Sequence, residues 1–345
     1  MPSRRYLCRY ICDMNRAPLK MGIIGAGHLG KIHIRLAKEI EMISLEGFYD
    51  TDESVRQKVS DELGVKAFDS ADELIKSVDA VVIVTPTLFH FEYASKAVKR
   101  GKHVFVEKPI TATVLEAKTL CKLADEAKCI LQVGHVERFN PAFLAARSSI
   151  IQPAFIESHR LAQFNPRGTD VSVIYDLMIH DIDIILCTVK SRVKKVHASG
   201  VAVVSDTPDI CNARIEFENG CTANLTASRM SMKNMRKTRF FQRDCYIGVD
   251  FLEKKSEILQ LKTLEAGEDP FAITIDPGNG KAKKQLTINM PESAPNNAIQ
   301  EELIAFARAI KGEIPVAVSG YDGLYALEVA NTISEKLNYA VASLQ

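Results

Sequence analysis

The chain has 345 residues, 46% of them hydrophobic and 25% charged, and a formal net charge of +1. That length suggests about two domains and allows a sizeable core. The balanced charge excludes the basic excess of a nucleic-acid binder, and no apolar run approaches the ~18 residues of a membrane span, so neither nucleic acid nor membrane is expected as a partner.

Residues 1–17 carry Arg4, Arg5, Arg9 and Arg16 around a short apolar stretch broken by charge. They lack the apolar core of a secretory signal and are expected to be a disordered tail, with Met14 a candidate start. From Lys20, strand and helix signals alternate. Residues 21–24 read as a strand. Leu29, Ile32, Leu36 and Ile40 then recur at helical spacing. Further strands are expected over 43–49, 65–68, 80–84, 104–106 and 130–133, with helices over 91–100 and 114–127. Strands alternating with helices imply a parallel, doubly wound sheet.

The pattern changes near Pro141, which suits the first turn of a helix. Strands are expected over 154–161, 193–204, 213–217, 221–227, 240–249, 257–261 and 284–288. Asn219-Gly220 is a two-residue hairpin signal. One helix, 172–189, interrupts them, and amphipathic helices close the chain over 296–311 and 323–337. The expected fold class is therefore α/β: a doubly wound parallel sheet over 18–140, then an α+β domain with a large, mostly antiparallel open sheet over 141–345. The C-terminal helices are free to pack back on the first domain. Eight scattered cysteines include no C-x-x-C pair and no zinc spacing, so reduced core thiols, a cytoplasmic location and no metal are expected.

Three motifs carry chemistry. Gly25-Ala26-Gly27-His28-Leu29-Gly30 follows a strand and opens a helix, the context that makes this fingerprint a Rossmann dinucleotide site. Gly25 permits the tight turn, Gly27 lets backbone approach the pyrophosphate, and Gly30 allows close packing of helix on strand. Asp50 ends the second strand, where a carboxylate accepts hydrogen bonds from the adenosine ribose and disfavours a 2′-phosphate. Arg56 lies one to two helical turns further on, so NAD is expected over NADP. Glu107-Lys108-Pro109 follows a strand at the sheet's carboxyl end. Physics alone reads Lys108 as a surface lysine as readily as a functional one. In the third motif, Asp176, His180 and Asp183 share one face of a helix, which is either a solvated face or a tuned proton-transfer group.

These stretches resemble the Gfo/Idh/MocA family of NAD(P)-dependent oxidoreductases, which act mostly on sugars, inositols and related polyols. The similarity also covers Val84-Thr85-Pro86-Thr87-Leu88-Phe89-His90, Gly101-Lys102-His103-Val104 and Ser319-Gly320-Tyr321-Asp322-Gly323. The resemblance implies that Lys108 and His180 handle the proton of a reacting hydroxyl and that Asp176 orients or relays. It also implies that Thr85, Pro86 and His90 line the cofactor crevice and that Glu107 approaches the nicotinamide ribose. Met178 departs from the glycine many members have there, which changes the pocket in detail.

The stretch 134–141, with Arg138, and the stretch 176–181 look most like members that oxidise UDP-linked N-acetyl amino sugars at C3. A diphosphate calls for arginine forks. Arg138, Arg160 and Arg167, with Arg229, Lys233 and Arg236 beyond them, are the candidates, and ordinary surface charge is the alternative. The expected activity is NAD-dependent dehydrogenation of a sugar or sugar nucleotide. A free-sugar or inositol dehydrogenase and a non-catalytic, NAD-sensing regulatory protein are the rivals. The resemblance implies that the open face of the antiparallel sheet pairs with another subunit, and the stretch 201–204, which alternates poorly between apolar and polar, suits burial on both faces, so a homodimer or homotetramer is expected.

Overall fold

The computed structural model describes residues 17–165, 171–263 and 273–342; residues 1–16 of the expected tail and Arg167 lie outside them. The chain divides into two compact units. One runs to Val136 and adds Asn297–Leu327; the other is Glu137–Asn296 with the residues from Glu328 on. The α-helices are, in chain order, α1 (His28–Glu39), α2 (Glu53–Leu63), α3 (Ala71–Ser77), α4 (His90–Val98), α5 (Val114–Ala127), α6 (Pro141–Ala146), α7 (Ile179–Val189), α8 (Ala298–Ile310) and α9 (Gly320–Ala342).

In the first unit β1 (Leu19–Ile24), β2 (Ile43–Tyr49), β3 (Ala80–Ile83), β4 (His103–Glu107) and β5 (Leu131–Gly134) form a parallel sheet in the order β2-β1-β3-β4-β5. Alternate strand residues Met21, Ile23, Ala80, Val82 and Phe105 join Ile34 and Ala37 of α1 and Leu303 and Phe306 of α8 in one core cluster. On the opposite face Gly22 leaves room for Leu74 of α3, whose Cδ1 would lie 2.7 Å from any Cβ there. Polar caps start α2 and α5. The Asp52 carboxylate accepts the Ser54 and Val55 amides of α2, and Thr113 and Glu116 form a capping box on α5.

Residues 65–68 do not form the expected strand. They make a single bridge, Phe48 to Ala67, where Phe48 N–H donates to Lys66 O and Phe68 N–H to Phe48 O. The two bonds of Phe48 do not extend into a ladder.

The second unit holds β6 (Phe155–Leu161), β7 (Val193–Val201), β8 (Ile210–Phe217), β9 (Thr222–Ser228), β10 (Met235–Gln242), β11 (Cys245–Asp250), β12 (Lys255–Thr263), β13 (Thr274–Ile275) and β14 (Lys284–Asn289). Their order is β13-β14-β12-β11-β10-β6-β9-β8-β7, antiparallel except for the parallel pair β6 and β9. Burial alternates along β6, β8 and β9, so one face is covered and the other open. Helix α6 packs on β11 and β12, and α7 packs on β6.

Three expectations are corrected here. The stretch 240–249 is not one strand but the end of β10, a turn and β11. Asp244 turns the chain at φ 57°, a conformation short polar residues tolerate. Strand β7 stops at Val201, because the amides of Val203, Val204 and Ser205 all donate to Asp209 Oδ2 at 2.7, 2.7 and 3.0 Å. Val201, Val203 and Val204 are consequently 58%, 57% and 59% exposed, not buried on two faces. The helix over 172–189 is not uniform: Ile174–Met178 is a π-helical turn leading into α7, a widened geometry frequent at functional sites.

Candidate active site

The glycine loop lies where the order of the parallel sheet reverses, between β1 and β3, the place such sheets bind ligands. Gly25 adopts φ +99°, and a Cβ there would sit 2.7 Å from the Val84 carbonyl oxygen. A Cβ on Gly30 would collide with the Gly25 carbonyl, so α1 can approach β1 only without one. At Gly27 a Cβ would meet nothing within 4 Å, which leaves the backbone open to a ligand. Gly27 caps α1 with no side-chain acceptor. The first-turn amides, at exposed His28 and half-buried Leu29, are thus offered to an anion.

Asp50 Oδ2 accepts the Ala26 amide at 2.7 Å and Oδ1 the Asp52 amide at 3.0 Å, tying the end of β2 to the glycine loop. A cavity of about 370 Å³ opens beside them, lined among others by Gly25, Gly27, Tyr49, Asp50, Thr85 and Pro86. Thr85 Oγ1 is shielded from solvent and has no hydrogen-bond partner among the described residues. Open backbone at Gly27, uncapped helix amides and an unpartnered hydroxyl in one cleft fit a dinucleotide. Arg56 is closer than its spacing suggested: its guanidinium turns back to donate to the Asp50 carbonyl at 2.8 Å.

His90 does not line this cleft. Its ring is buried, with Nδ1 2.8 Å from Pro109 O and Nε2 2.8 Å from Thr85 O, so it ties the end of β3 to the segment after β4. Burial pushes its pKa below the usual histidine range, against the pull of the two carbonyls. Glu107 also departs from expectation. Its carboxylate turns inward, Oε1 2.9 Å from His33 Nε2 and Oε2 accepting the Lys108 amide at 3.2 Å. Half-buried Lys108 therefore follows a residue anchored in the core. Sequence reasoning missed His33 and Glu302, which flank Glu107. The available signal for Glu302 was its place on the apolar stripe of α8, with Phe306 and Ala309.

In the second unit Asp176 occupies the π-helical turn and His180 the first turn of α7; both are half-buried. Two acids beside His180 in the chain, Asp181 and Asp183, are paired with arginines. Arg160, on β6, donates from Nε and Nη2 to Asp181 at 2.8 and 3.1 Å and from Nη1 to Glu137 at 2.9 Å. Arg138 forks onto Asp183 at 2.8 and 2.6 Å. Burial works against the Arg160 charge, but the Asp181 and Glu137 carboxylates outweigh it and hold the guanidinium above its ordinary pKa. The expectation that Arg138 and Arg160 offer forks to a diphosphate is thereby corrected. Both are buried and already forked onto carboxylates. Asp183 likewise faces Arg138 and does not join Asp176 and His180 in a proton-handling face. Arg229 is buried beside Asp209 and donates to Val171 O, whereas Lys233 is exposed and the Arg236 side chain is 50% exposed.

A family model for the oxidoreductase family with an NAD-binding Rossmann fold, Gfo/Idh/MocA, matches residues 19–135, and the model of that family's C-terminal domain matches residues 144–242. The UDP-N-acetylglucosamine 3-dehydrogenase of Acidithiobacillus ferrooxidans is 37% identical over 313 residues, covering 90% of this chain and 95% of that one. A solved structure of the enzyme of that name and organism superposes with a TM-score of 0.83 at 34% identity, over 92% of this chain and 97% of that chain. The inositol 2-dehydrogenase of Rhizobium meliloti is 25% identical over 345 residues, covering 94% and 99%. The chain belongs to the Gfo/Idh/MocA family of oxidoreductases and carries its NAD-binding Rossmann fold.

Proposed function

We propose that this protein oxidises a ring hydroxyl of a sugar nucleotide, a UDP-linked N-acetyl amino sugar at C3. The observation that carries the reading is the 37% identity, over 90% of the chain, to an enzyme named for that reaction. NAD, when bound, supplies the hydride acceptor. The chain's own residues handle the proton: Lys108 or His180 takes it from the hydroxyl as the carbon loses hydride, leaving a ketone, and Asp176 orients the histidine. We assign the diphosphate to exposed Lys233 and to Arg236, whose side chain is half exposed and lies 3.8 Å from Glu137, since Arg138 and Arg160 are buried and forked onto carboxylates. Free Cys121, Cys211 and Cys221, with thiol pKa values pushed up by burial to about 11, 12 and 11, suit a reducing compartment, and we assign the protein to the cytoplasm. We further assign it a homo-oligomeric state.

The test is NADH formation by purified protein with UDP-N-acetylglucosamine against N-acetylglucosamine, glucose and myo-inositol. The sugar nucleotide is expected to be the best substrate. Faster turnover of a free polyol would move the protein to the inositol-type reading, which the Rhizobium relative favours. No turnover of any of them, with a protein partner bound instead, would revive the regulatory reading. Lys108→Ala is expected to leave NAD affinity within about threefold while lowering turnover by ~10²–10⁴; near-native turnover would remove this lysine from the reaction.

A further inference from the structure

Behind the Glu107-Lys108 segment lies a buried group of three titratable side chains from distant parts of the chain. His33 on α1, Glu107 at the end of β4 and Glu302 on α8 each bring one ligand-capable atom within 4.8 Å of the others. The side chains of His33 and Glu107 are 0% and 11% exposed, and Glu302 is fully buried. Gly134 makes the space: a Cβ there would stand 3.0 Å from the Glu107 carboxyl carbon. His33 Nε2 and the Lys108 amide take the two Glu107 oxygens. Glu302 is different. Its main-chain carbonyl accepts Gln132 Nε2 at 2.9 Å, but neither carboxyl oxygen has a partner among the described residues.

An ionised carboxylate with no partner is among the costliest groups to bury, and a second carboxylate within 5 Å adds repulsion. His33 already bonds Glu107 through Nε2. A protonated carboxyl removes both penalties and gains a donor. Its O–H reaches an acceptor at this range directly or through one water, and the Glu107 carboxylate is the acceptor on hand. We propose that Glu302 is a hydrogen-bond donor which, with His33, positions the Glu107 carboxylate and, through the Lys108 main-chain amide, the lysine itself. Glu302 is thus a positioning residue, and its effect on turnover rests on the reading of Lys108 as a proton-handling group. Burial first, and then the negative charge of Glu107, push its carboxyl well above the ordinary 4.5. The titratable groups facing it are His33 and Glu107; β5 contributes the neutral Gln132.

Two full-length variants separate the possibilities. Glu302→Leu keeps bulk and loses the donor; Glu302→Gln restores a neutral donor. Infrared difference spectra of the protein at neutral pH should contain a protonated-carboxyl C=O band that both variants lack. The Leu variant should lower kcat by roughly ten- to a hundredfold and shift the pH profile of kcat, with KM and NAD affinity within about threefold. The Gln variant should recover most of that kcat. Because the folded-state pKa is raised, the stability Glu302 contributes is full below its ordinary value and is lost as pH rises. Between about pH 5 and pH 8 the Gln variant should therefore show a flatter melting profile than the parent.

A Gln variant as impaired as the Leu variant, or a parent lacking the carboxyl band, would overturn the proposal. So would zinc or manganese bound by the parent and not by the Gln variant, since that would make the trio an anionic cation site. If Lys108→Ala turns over normally, the link to catalysis fails, and the carboxyl band still decides whether Glu302 is a donor.

Discussion

Both Asp50 oxygens accept main-chain amides, from Ala26 in the glycine loop and from Asp52 at the cap of α2. One carboxylate thus shapes the loop and places negative charge at the edge of the cofactor cleft. NAD should bind at least about tenfold more tightly than NADP, a difference of ~1.4 kcal/mol, because a 2′-phosphate would face that charge. Asp50→Asn replaces one acceptor by a donor, so NAD affinity should fall about tenfold and most of the discrimination should go with it. Titration calorimetry checks both, and equal NADP binding by the parent would show that Arg56, bonded to the same residue's carbonyl, governs the choice instead. Residues of this kind are legible in sequence because their meaning is local: a glycine spacing after a strand, a carboxylate ending the next. Glu107 and His90 were misplaced for the converse reason. Their partners, His33 for one and the Thr85 and Pro109 carbonyls for the other, are set by how strands and helices stack.

At the scale of elements, β6 follows the period of two, with Ile156, Ser158 and Arg160 on the covered face. An arginine at an inward position was the readable sign that a strand needed buried acids. Which acids could not be read, because Asp181 lies on α7 and Glu137 on the turn before α6. Arg160 holds both, at 2.8 and 2.9 Å, and so fastens β6 to two neighbouring elements. Arg160→Ala would leave the buried Asp181 without its guanidinium and Glu137 with only Asn140 and the more distant Arg236, a loss of about 3–5 kcal/mol. Arg160→Lys should recover little, since an ammonium cannot fork onto Asp181 while reaching Glu137. Thermal melting of both variants should fall well below the parent. A near-native melt with a raised KM for the sugar nucleotide alone would return Arg160 to the substrate pocket.

For the whole molecule, the open face of the second unit's sheet is what bears on assembly. Its occupants alternate with the covered residues: Phe155, Glu157 and His159 on β6 lie opposite Phe241, Arg239 and Lys237 on β10. The rings of Phe155, Phe241 and Tyr246 stand 5.9 and 5.3 Å apart in succession, and Phe241 is 37% exposed. Beside them a cavity of about 390 Å³ is lined by Lys237, Arg239, Tyr246, Asp250, Glu257 and Met290 among others. An antiparallel sheet can leave one face to water, but then polar residues fill it. Contiguous aromatic rings rimmed by charges of both signs are instead the composition of an interface. The occupant proposed is a second copy of the chain, whose aromatic row would meet this one in a two-fold pairing, while Lys237 and Arg239 are already paired with Asp250 and Glu157 of their own chain. Residues 201–204 give this pairing no support, since Val201 ends β7 and 202–204 lie beyond it. Sedimentation at about micromolar concentration should give a dimer or tetramer. Phe241→Glu, which puts a charge among the rings, should shift it to monomer. NAD affinity should be unchanged, as the glycine loop and Asp50 belong to the other unit. A monomeric parent, or a Phe241→Glu protein as fully assembled as the parent, would mean that this face is solvated and that the aromatic row serves only to stiffen the sheet.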